Sequence, residues 1–256
     1  MSSMIRLVAE NPVFHTLQGE GDYMGIPTTF VRTAGCNLRC TRKDGVGWSC
    51  DTPTSLPDFD TKLKVLRPTP TRFAHEYDAT EICKMIMQHR PTHLAITGGE
   101  PTIQDEVLAV LLAYVEHEAL LVGRRPHVTL ETNGTKFSAV LARRIDLVSL
   151  SPKVYQPATI AFAPLKEWAT TARRVQVKIV MADLNPEARD MAVSVFQTVR
   201  ALRAEASLYV QRADVGDEHT DRVQQDMVVS WVKDDLLLRS LGVRYGLQAH
   251  KLFGVP

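Results

Sequence analysis

Short runs of β-branched and apolar residues alternate along this chain with longer segments whose apolar positions recur every three or four residues. The runs Thr28–Arg32, His93–Thr97, His127–Glu131, Leu147–Leu150, Val175–Met181 and Ser207–Gln211 predict strands. The segments Ala79–His89, Ile103–His117, Ser138–Arg144, Pro186–Arg203 and Asp221–Ser240 predict helices. In the second of these, Val107, Leu108, Leu111, Leu112 and Val115 form an apolar stripe. Thr80 and Asn185 suit helix N-caps, and Pro186 suits a first helical position. Alternation with connections long enough for crossovers argues an α/β fold, its strands mostly parallel and covered by helices. Six strands fall short of the eight of a closed (β/α) barrel. A partial (β/α)6-type barrel is expected, with an open doubly wound sheet as the alternative.

No internal repeat or linker divides the chain, so residues 1–256 read as a single domain. Its one long irregular excursion, at about 41–70, is rich in Asp, Thr, Pro and Gly, and loops of that length are commonly functional. A second irregular stretch, Ala213–His219, is short and acidic.

Composition narrows the class. At 256 residues with 45% hydrophobic and 23% charged residues, the chain is ordinary for a globular fold and unlike a disordered one. A formal charge of +1 advertises neither nucleic acid nor an anionic membrane as partner. No apolar run approaches the roughly 20 residues of a membrane span, and Met1 to Glu10 lack the features of a signal peptide. A cytoplasmic location is the expectation.

Of four cysteines, Cys36, Cys40 and Cys50 lie close together and Cys83 stands apart. In a chain without an export signal such a cluster points to metal or redox chemistry. Three thiolates could bind zinc with His75 or Cys83 as fourth ligand, or an iron–sulfur cube with one iron left open. Spacing alone does not choose. A second motif, Thr97-Gly98-Gly99-Glu100-Pro101, ends an apolar strand. Its two glycines allow close backbone approach to a ligand, and Glu100 could accept hydrogen bonds from an ammonium group. Cys83, within the apolar run of its helix, reads as structural.

Taken in order, several stretches resemble the radical S-adenosylmethionine (SAM) superfamily and, more narrowly, the 7-carboxy-7-deazaguanine synthase family. They are Phe14–Gly21, Arg32–Cys40, Cys50-Asp51-Thr52, Thr97–Pro101, Glu131–Thr135, Ser151-Pro152-Lys153 and the ending His250–Pro256. The resemblance implies a radical SAM barrel in which Cys36, Cys40 and Cys50 hold a [4Fe–4S] cluster chelated by SAM. It implies ring contraction of 6-carboxy-5,6,7,8-tetrahydropterin to 7-carboxy-7-deazaguanine with loss of ammonia. Ser49, Asp51, Gly99, Glu100, Glu131, Ser151, Lys153, Gln211 and Asp214 would contact SAM. Leu17, Gln18, Gly19, Arg32, Thr97 and Pro256 would contact the pterin, and Thr52 would ligate Mg²⁺. A flavodoxin-like one-electron reductant and a homodimer are implied partners.

Two departures stand out. Nine residues separate Cys40 from Cys50, where two is the common superfamily spacing, and Gly45 and Gly47 ease such an excursion. After Gln211, Arg212 and Ala213 replace the usual Pro-Met. The rival expectations are a radical SAM enzyme activating a protein glycine and a non-catalytic, zinc-stabilised binding protein.

Overall fold

The computed structural model describes residues 4–40, 50, 59–60, 65–66, 74–181, 184–213 and 218–254. Its order is β1 (Met4–Val8), β2 (Val13–Leu17), β3 (Pro27–Thr33), β4 (Phe59–Asp60), β5 (Val65–Leu66), β6 (Ala74–Asp78), α1 (Ala79–Gln88), β7 (His93–Gly98) and α2 (Asp105–Leu121). There follow β8 (His127–Thr132), α3 (Ala139–Ala142), β9 (Leu147–Leu150), α4 (Phe162–Thr171), β10 (Val175–Met181), α5 (Pro186–Leu202), β11 (Ser207–Arg212), α6 (Glu218–Asp234), α7 (Leu236–Ser240), β12 (Val243–Tyr245) and α8 (Ala249–Phe253).

One sheet runs β12-β11-β10-β9-β8-β7-β3-β1-β6, with β2 paired to β3. From β3 to β12 every pairing is parallel, while β1, β2 and β6 pair antiparallel. The parallel strands follow one another in chain order with no reversal. A doubly wound sheet needs a reversal, so the arrangement is that of a partial barrel. Its two edges, β12 and β6, do not meet, and the sheet is open.

Alternation along the strands explains the layers. On β7, Leu94 and Ile96 enter the core beneath the helices, and on β8 Val128 and Leu130 do the same. On β10 it is Val177 and Ile179, joined by Leu108, Leu112, Trp168 and Phe196 from α2, α4 and α5. The opposite, concave face carries buried polar residues, among them Thr28, His93, Thr129, Ser149, Gln176 and Lys178. A sheet with helices on one side only must fill its hollow some other way.

It does so near the strand starts with the segment after β2. Gly21, at φ +68°, passes so close to Gln176 that a Cβ would stand 2.6 Å from that side chain's amide. Asp22 beyond it accepts from the Tyr209 and Ser207 hydroxyls at 2.8 and 3.0 Å. The Tyr23 ring lies 4.7 Å from both the His93 and His127 rings.

Several predicted bounds shift for local reasons. Asp78, not Thr80, caps α1, its carboxylate accepting from the Thr80 backbone N–H. Asn185 and Pro186 open α5 as expected. The helix predicted over Asp221–Ser240 is broken at Asp235, whose side chain accepts from the N–H groups of Leu237 and Leu238 and starts α7. Sequence patterning passes over β1, β2, β6, α4 and the short β12 and α8. In α4, Pro164 and two threonines weaken the helical signal, and the fully buried Trp168, donating to Lys136 O at 3.0 Å, fixes the helix instead.

His93 gives this barrel floor a pH dependence. Its ring is hydrogen-bonded to Thr28 Oγ1 at 2.9 Å and Thr129 Oγ1 at 2.8 Å. The Thr28 hydroxyl donates to Ile26 O, so Nδ1 carries the proton and Nε2 accepts. Burial, reinforced by His127, brings the His93 pKa down to about 4 from 6.5. The unfolded chain then binds more protons between those values, so stability is full above pH 6.5 and falls towards pH 4. The expected loss is on the order of 2 kcal/mol. Denaturant titrations across that window check it, and the slope should shrink in His93→Gln, leaving the part owed to His127, whose pKa burial also lowers.

Candidate functional site

At the carboxyl ends of β7 to β11 the concave face opens into a cavity. Thr97, Gly98 and Gly99 reach it from β7, Glu131 and Thr132 from β8, and Ser151 and Lys153 from the loop after β9. Lys178 and Val180 reach it from β10, Ala213 from the end of β11, and Glu20, Gln248 and Lys251 close it on the remaining side. Cys36, Cys40 and Cys50 all line this same cavity.

The loop carrying the cysteines is held against the Gly-Gly turn by backbone. Gly99 N donates to Thr33 O at 3.0 Å and Glu100 N to Gly35 O at 2.8 Å. A Cβ on Gly99 would stand 1.9 Å from Gly35 O, so no other residue fits there. Gly98, at φ +117°, is required for the same approach. Asn37 ties the loop sideways: it accepts from Asn133 Nδ2 at 2.9 Å and donates to Thr135 Oγ1 at 2.7 Å. Cys50 N donates to Cys40 O at 2.9 Å, bringing the distant third cysteine to the second.

Three thiols on one cavity are a donor set for zinc or for an iron–sulfur cluster. The Cys36 sulfur accepts from Leu38 N at 3.4 Å, a contact that stabilises a thiolate. Burial first, with the negative groups Glu100, Cys40 and Cys50 added, pushes the free Cys36 thiol up to about 12. A metal bound here would supply the positive charge that keeps this sulfur ionised. Among the described residues, no three His, Cys, Asp or Glu side chains close around a point as ligands of a single ion. Cys83, drafted as a fourth zinc ligand, lies in the core on α1, and His75 lies on β6. Neither lines the cavity.

Glu100 departs from its expected place. It has no exposed surface, and Oε1 accepts from Thr102 N, Thr102 Oγ1 and Thr132 Oγ1 at 3.0, 2.6 and 2.7 Å. Oε2 accepts from Asn133 N at 2.7 Å. Its carboxylate does not line the cavity; it braces the Gly-Gly turn against the loop after β8. Glu131, expected beside SAM, is hydrogen-bonded to two residues expected on the pterin side. It accepts from Gln18 Nε2 at 3.2 Å and from Thr97 Oγ1 at 2.8 Å.

Arg32, paired in register with Thr97, sits one strand away with its guanidinium 4.6 Å over the Phe14 ring and does not line the cavity. Leu17 and Gly19 frame Gln18, and Gly19 O accepts from Ala249 N at 2.9 Å, strapping α8 to this loop. Ser151 accepts from Lys153 Nζ at 3.0 Å. Gln211 is buried behind the cavity wall, donating to Glu20 Oε1 at 3.0 Å. Ser49, Asp51, Thr52, Asp214 and Pro256 lie outside the described residues.

Sequence patterning missed Lys178. This ammonium is 5% exposed, bonded to Glu20 Oε2 and 3.7 Å from Glu131 Oε1. Gln211 and Gln248 amides also donate to Glu20, at 3.0 and 2.9 Å. Burial alone would raise the Glu20 carboxyl, but the Lys178 charge and these hydrogen bonds outweigh it and bring the pKa to about 2. The signal was the alternation Gln176–Lys178 against Val175, Val177 and Ile179.

No family model matches the chain. Curated proteins do. Over 172 residues it is 34% identical to the 7-carboxy-7-deazaguanine synthase of Halobacterium salinarum, covering 65% of this chain and 56% of that one. Over 225 residues it is 27% identical to the protein of the same name from Rhodopirellula baltica, covering 81% and 74%. The Aquifex aeolicus protein so named is 31% identical over 129 residues, covering 50% and 46%. The chain thus spans about half to three quarters of the length of these relatives. Among solved structures, QueE from Escherichia coli superposes with a TM-score of 0.57 at 20% identity, covering 97% of this chain and 96% of that one. Streptococcus suis SuiB bound to precursor peptide SuiA gives 0.51 at 13%, covering 84% and 47%. At such identities the likeness to these structures is one of fold. In sequence this chain is similar to the 7-carboxy-7-deazaguanine synthases, and in fold it is similar to QueE.

Proposed function

We propose that this protein is a radical SAM enzyme that contracts 6-carboxy-5,6,7,8-tetrahydropterin to 7-carboxy-7-deazaguanine, releasing ammonia, in 7-deazapurine or queuosine-type biosynthesis. The observation that carries the reading is the convergence of Cys36, Cys40 and Cys50 on one cavity with the polar ends of β7, β8 and β10. Product plus ammonia balances the substrate, so no net oxidant is needed. Cys36, Cys40 and Cys50 would hold a [4Fe–4S] cluster, which with SAM supplies a 5′-deoxyadenosyl radical as hydrogen abstractor.

The chain's own residues then have separable tasks. The Gly98-Gly99 backbone, with Ser49 and Asp51, receives the methionyl end of SAM, and Ser151, Lys153, Gln211 and Asp214 serve the rest of it. Glu100 acts at one remove, holding the turn in place. Gln18, with Leu17 and Gly19 beside it, Thr97 and Glu131 form a connected set of donors and acceptors suited to the amide edge of a pterin. Arg32 and the Pro256 carboxylate complete the substrate side, and Thr52 is the proposed Mg²⁺ ligand. Three lysines against two glutamates on the cavity wall favour the carboxylates of SAM and substrate. A flavodoxin-like reductant, a homodimer and a cytoplasmic location complete the proposal; among the described residues no helix is long and apolar enough to cross a membrane.

Anaerobic reconstitution with iron and sulfide should give a brown protein absorbing near ~400 nm, as cysteine-bound iron–sulfur clusters do. With SAM, reductant, Mg²⁺ and the carboxytetrahydropterin, mass spectrometry should find the deazaguanine acid. Alanine at Cys36, Cys40 or Cys50 should abolish both iron retention and SAM cleavage; a colourless protein holding one zinc would overturn the reading.

Lys178→Met should leave two buried carboxylates without their cation. Denaturant unfolding near neutral pH should show a loss of about 3 kcal/mol, and KM for the pterin should rise more than kcat falls. In the parent protein, the stability owed to Glu20 is full above pH 4.5 and disappears as pH falls towards 2. That acid limb should flatten in the Met variant and return in Lys178→Arg.

A further inference from the structure

The loop that carries Cys36 and Cys40 is fastened by side-chain amides from three successive strand ends. At its start Gln104, closing the short helix after β7, donates to Arg6 O at 3.0 Å and Ala34 O at 3.1 Å, and accepts from Arg6 N at 2.8 Å. Midway, Asn37 is clasped by Asn133 and Thr135 from the loop after β8. At the far end Gln156, from the loop after β9, donates through Nε2 to Arg39 O at 2.9 Å, one residue before Cys40. None of these bonds involves a thiol, so all of them can form in the metal-free chain.

The amides that reach the loop are themselves held. Asn133 is 7% exposed, and its backbone N–H donates to Glu100 Oε2 at 2.7 Å. Its Oδ1 accepts from Thr135 N at 2.9 Å and from Thr135 Oγ1 at 2.7 Å, so the amide can turn only one way and Nδ2 faces Asn37. Gln156 N donates to Lys153 O at 2.8 Å, and Gln156 O accepts from Thr159 N and Thr159 Oγ1, both at 2.8 Å. The fully buried Val154 anchors the turn between Lys153 and Gln156. A donor whose own backbone is fixed in this way loses little further freedom in making its bond.

We infer that Asn133 and Gln156 are positioning residues for the thiols, setting the shape of Ala34–Cys40 in advance of any metal. Asn133 fixes the loop beside Cys36, and Gln156 fixes it beside Cys40. Residues that orient metal ligands from behind are worth about 10- to 100-fold in metal affinity. Gln156 does a second thing. It shares a turn with Lys153, which lines the cavity, so the loop of Ser151 and Lys153 and the loop of Cys40 are tied together. The inference rests on the metal-binding reading of the three cysteines given above, but the preset shape of the loop belongs to the metal-free chain and is tested there.

Alkylation of the metal-free, full-length protein with iodoacetamide, read by peptide mass mapping, reports on the loop directly. Cys40, 5% exposed, should react about tenfold more slowly in the folded parent than in the urea-unfolded chain. Asn133→Ala and Gln156→Ala should each speed its reaction about threefold or more, while Cys83, in the core on α1, stays slow. Gln156→Glu, equal in size but without the donor, should match Gln156→Ala. Asn37→Ala combined with Asn133→Ala should react no faster than Asn133→Ala alone, because both remove the same bond. After reconstitution with iron and sulfide, the variants should lose iron to a chelator about tenfold faster than the parent. A folded parent whose Cys40 reacts as in the unfolded chain, or variants that leave Cys40 slow, overturn the inference. So does a Cys83 that speeds up in step with Cys40, since that marks loosening of the whole fold. A parent that takes up no iron overturns the proposed function instead, and the alkylation rates still decide the seat.

Discussion

A parallel sheet wrapped by helices on one side leaves a hollow on the other, and the filling of that hollow governs the rest of this structure. A closed eight-stranded barrel fills it with interlocked apolar side chains. Here the sheet is open, and the strands turn threonine, histidine, glutamine and lysine inwards. Buried polar groups demand partners. The segment Gln18–Tyr23 supplies many of them, threading along the hollow so that Glu20 meets Lys178 and Asp22 meets Tyr209. Floor and cavity are consecutive parts of one inserted loop.

That continuity couples stability to the site. Lys178 stands between Glu20 and Glu131, and through them connects Gln211 and Gln248 on one side with Gln18 and Thr97 on the other. A buried ion pair adds little net stability against an apolar substitute, yet its loss leaves costly unpaired charge. Such a network makes sense where a fixed arrangement of charge matters more than the stability it adds. In a cavity proposed to take zwitterionic SAM and an anionic pterin, such an arrangement would orient ligands before they arrive.

Much of this was readable beforehand, and the failures share a cause. The strands Leu147–Leu150 and Val175–Met181 match prediction end to end, because strands buried on both faces advertise themselves as dense apolar runs. β1, β2 and β6 were passed over because their signals are short and mixed, and long-range antiparallel pairing stabilises them. The cysteines were evident from spacing, whereas their convergence with Lys178 depends on β10 lying two strands from β8. Glu100 shows what motif reading leaves out: an acid in a glycine turn suggests ligand contact, and the fold adds four donors around its carboxylate. Lys178 was hidden by its company, a lone cation in a run otherwise read as core.

The two faces of α2 extend the same reasoning outwards. The inner face is dictated by the sheet, and it alone would satisfy the fold. An outer stripe of Val110, Tyr114 and Leu121 adds nothing to the monomer and exposes apolar surface to water. α2 also follows the Gly-Gly turn directly, through the short helix Pro101–Gln104, whose first turn Glu100 caps. Anything that fixes α2 from outside therefore steadies the turn that lines the cavity and holds the cysteine loop. The position of this helix and order at the three cysteines are mechanically one problem, separated only by a single turn of 3₁₀ helix.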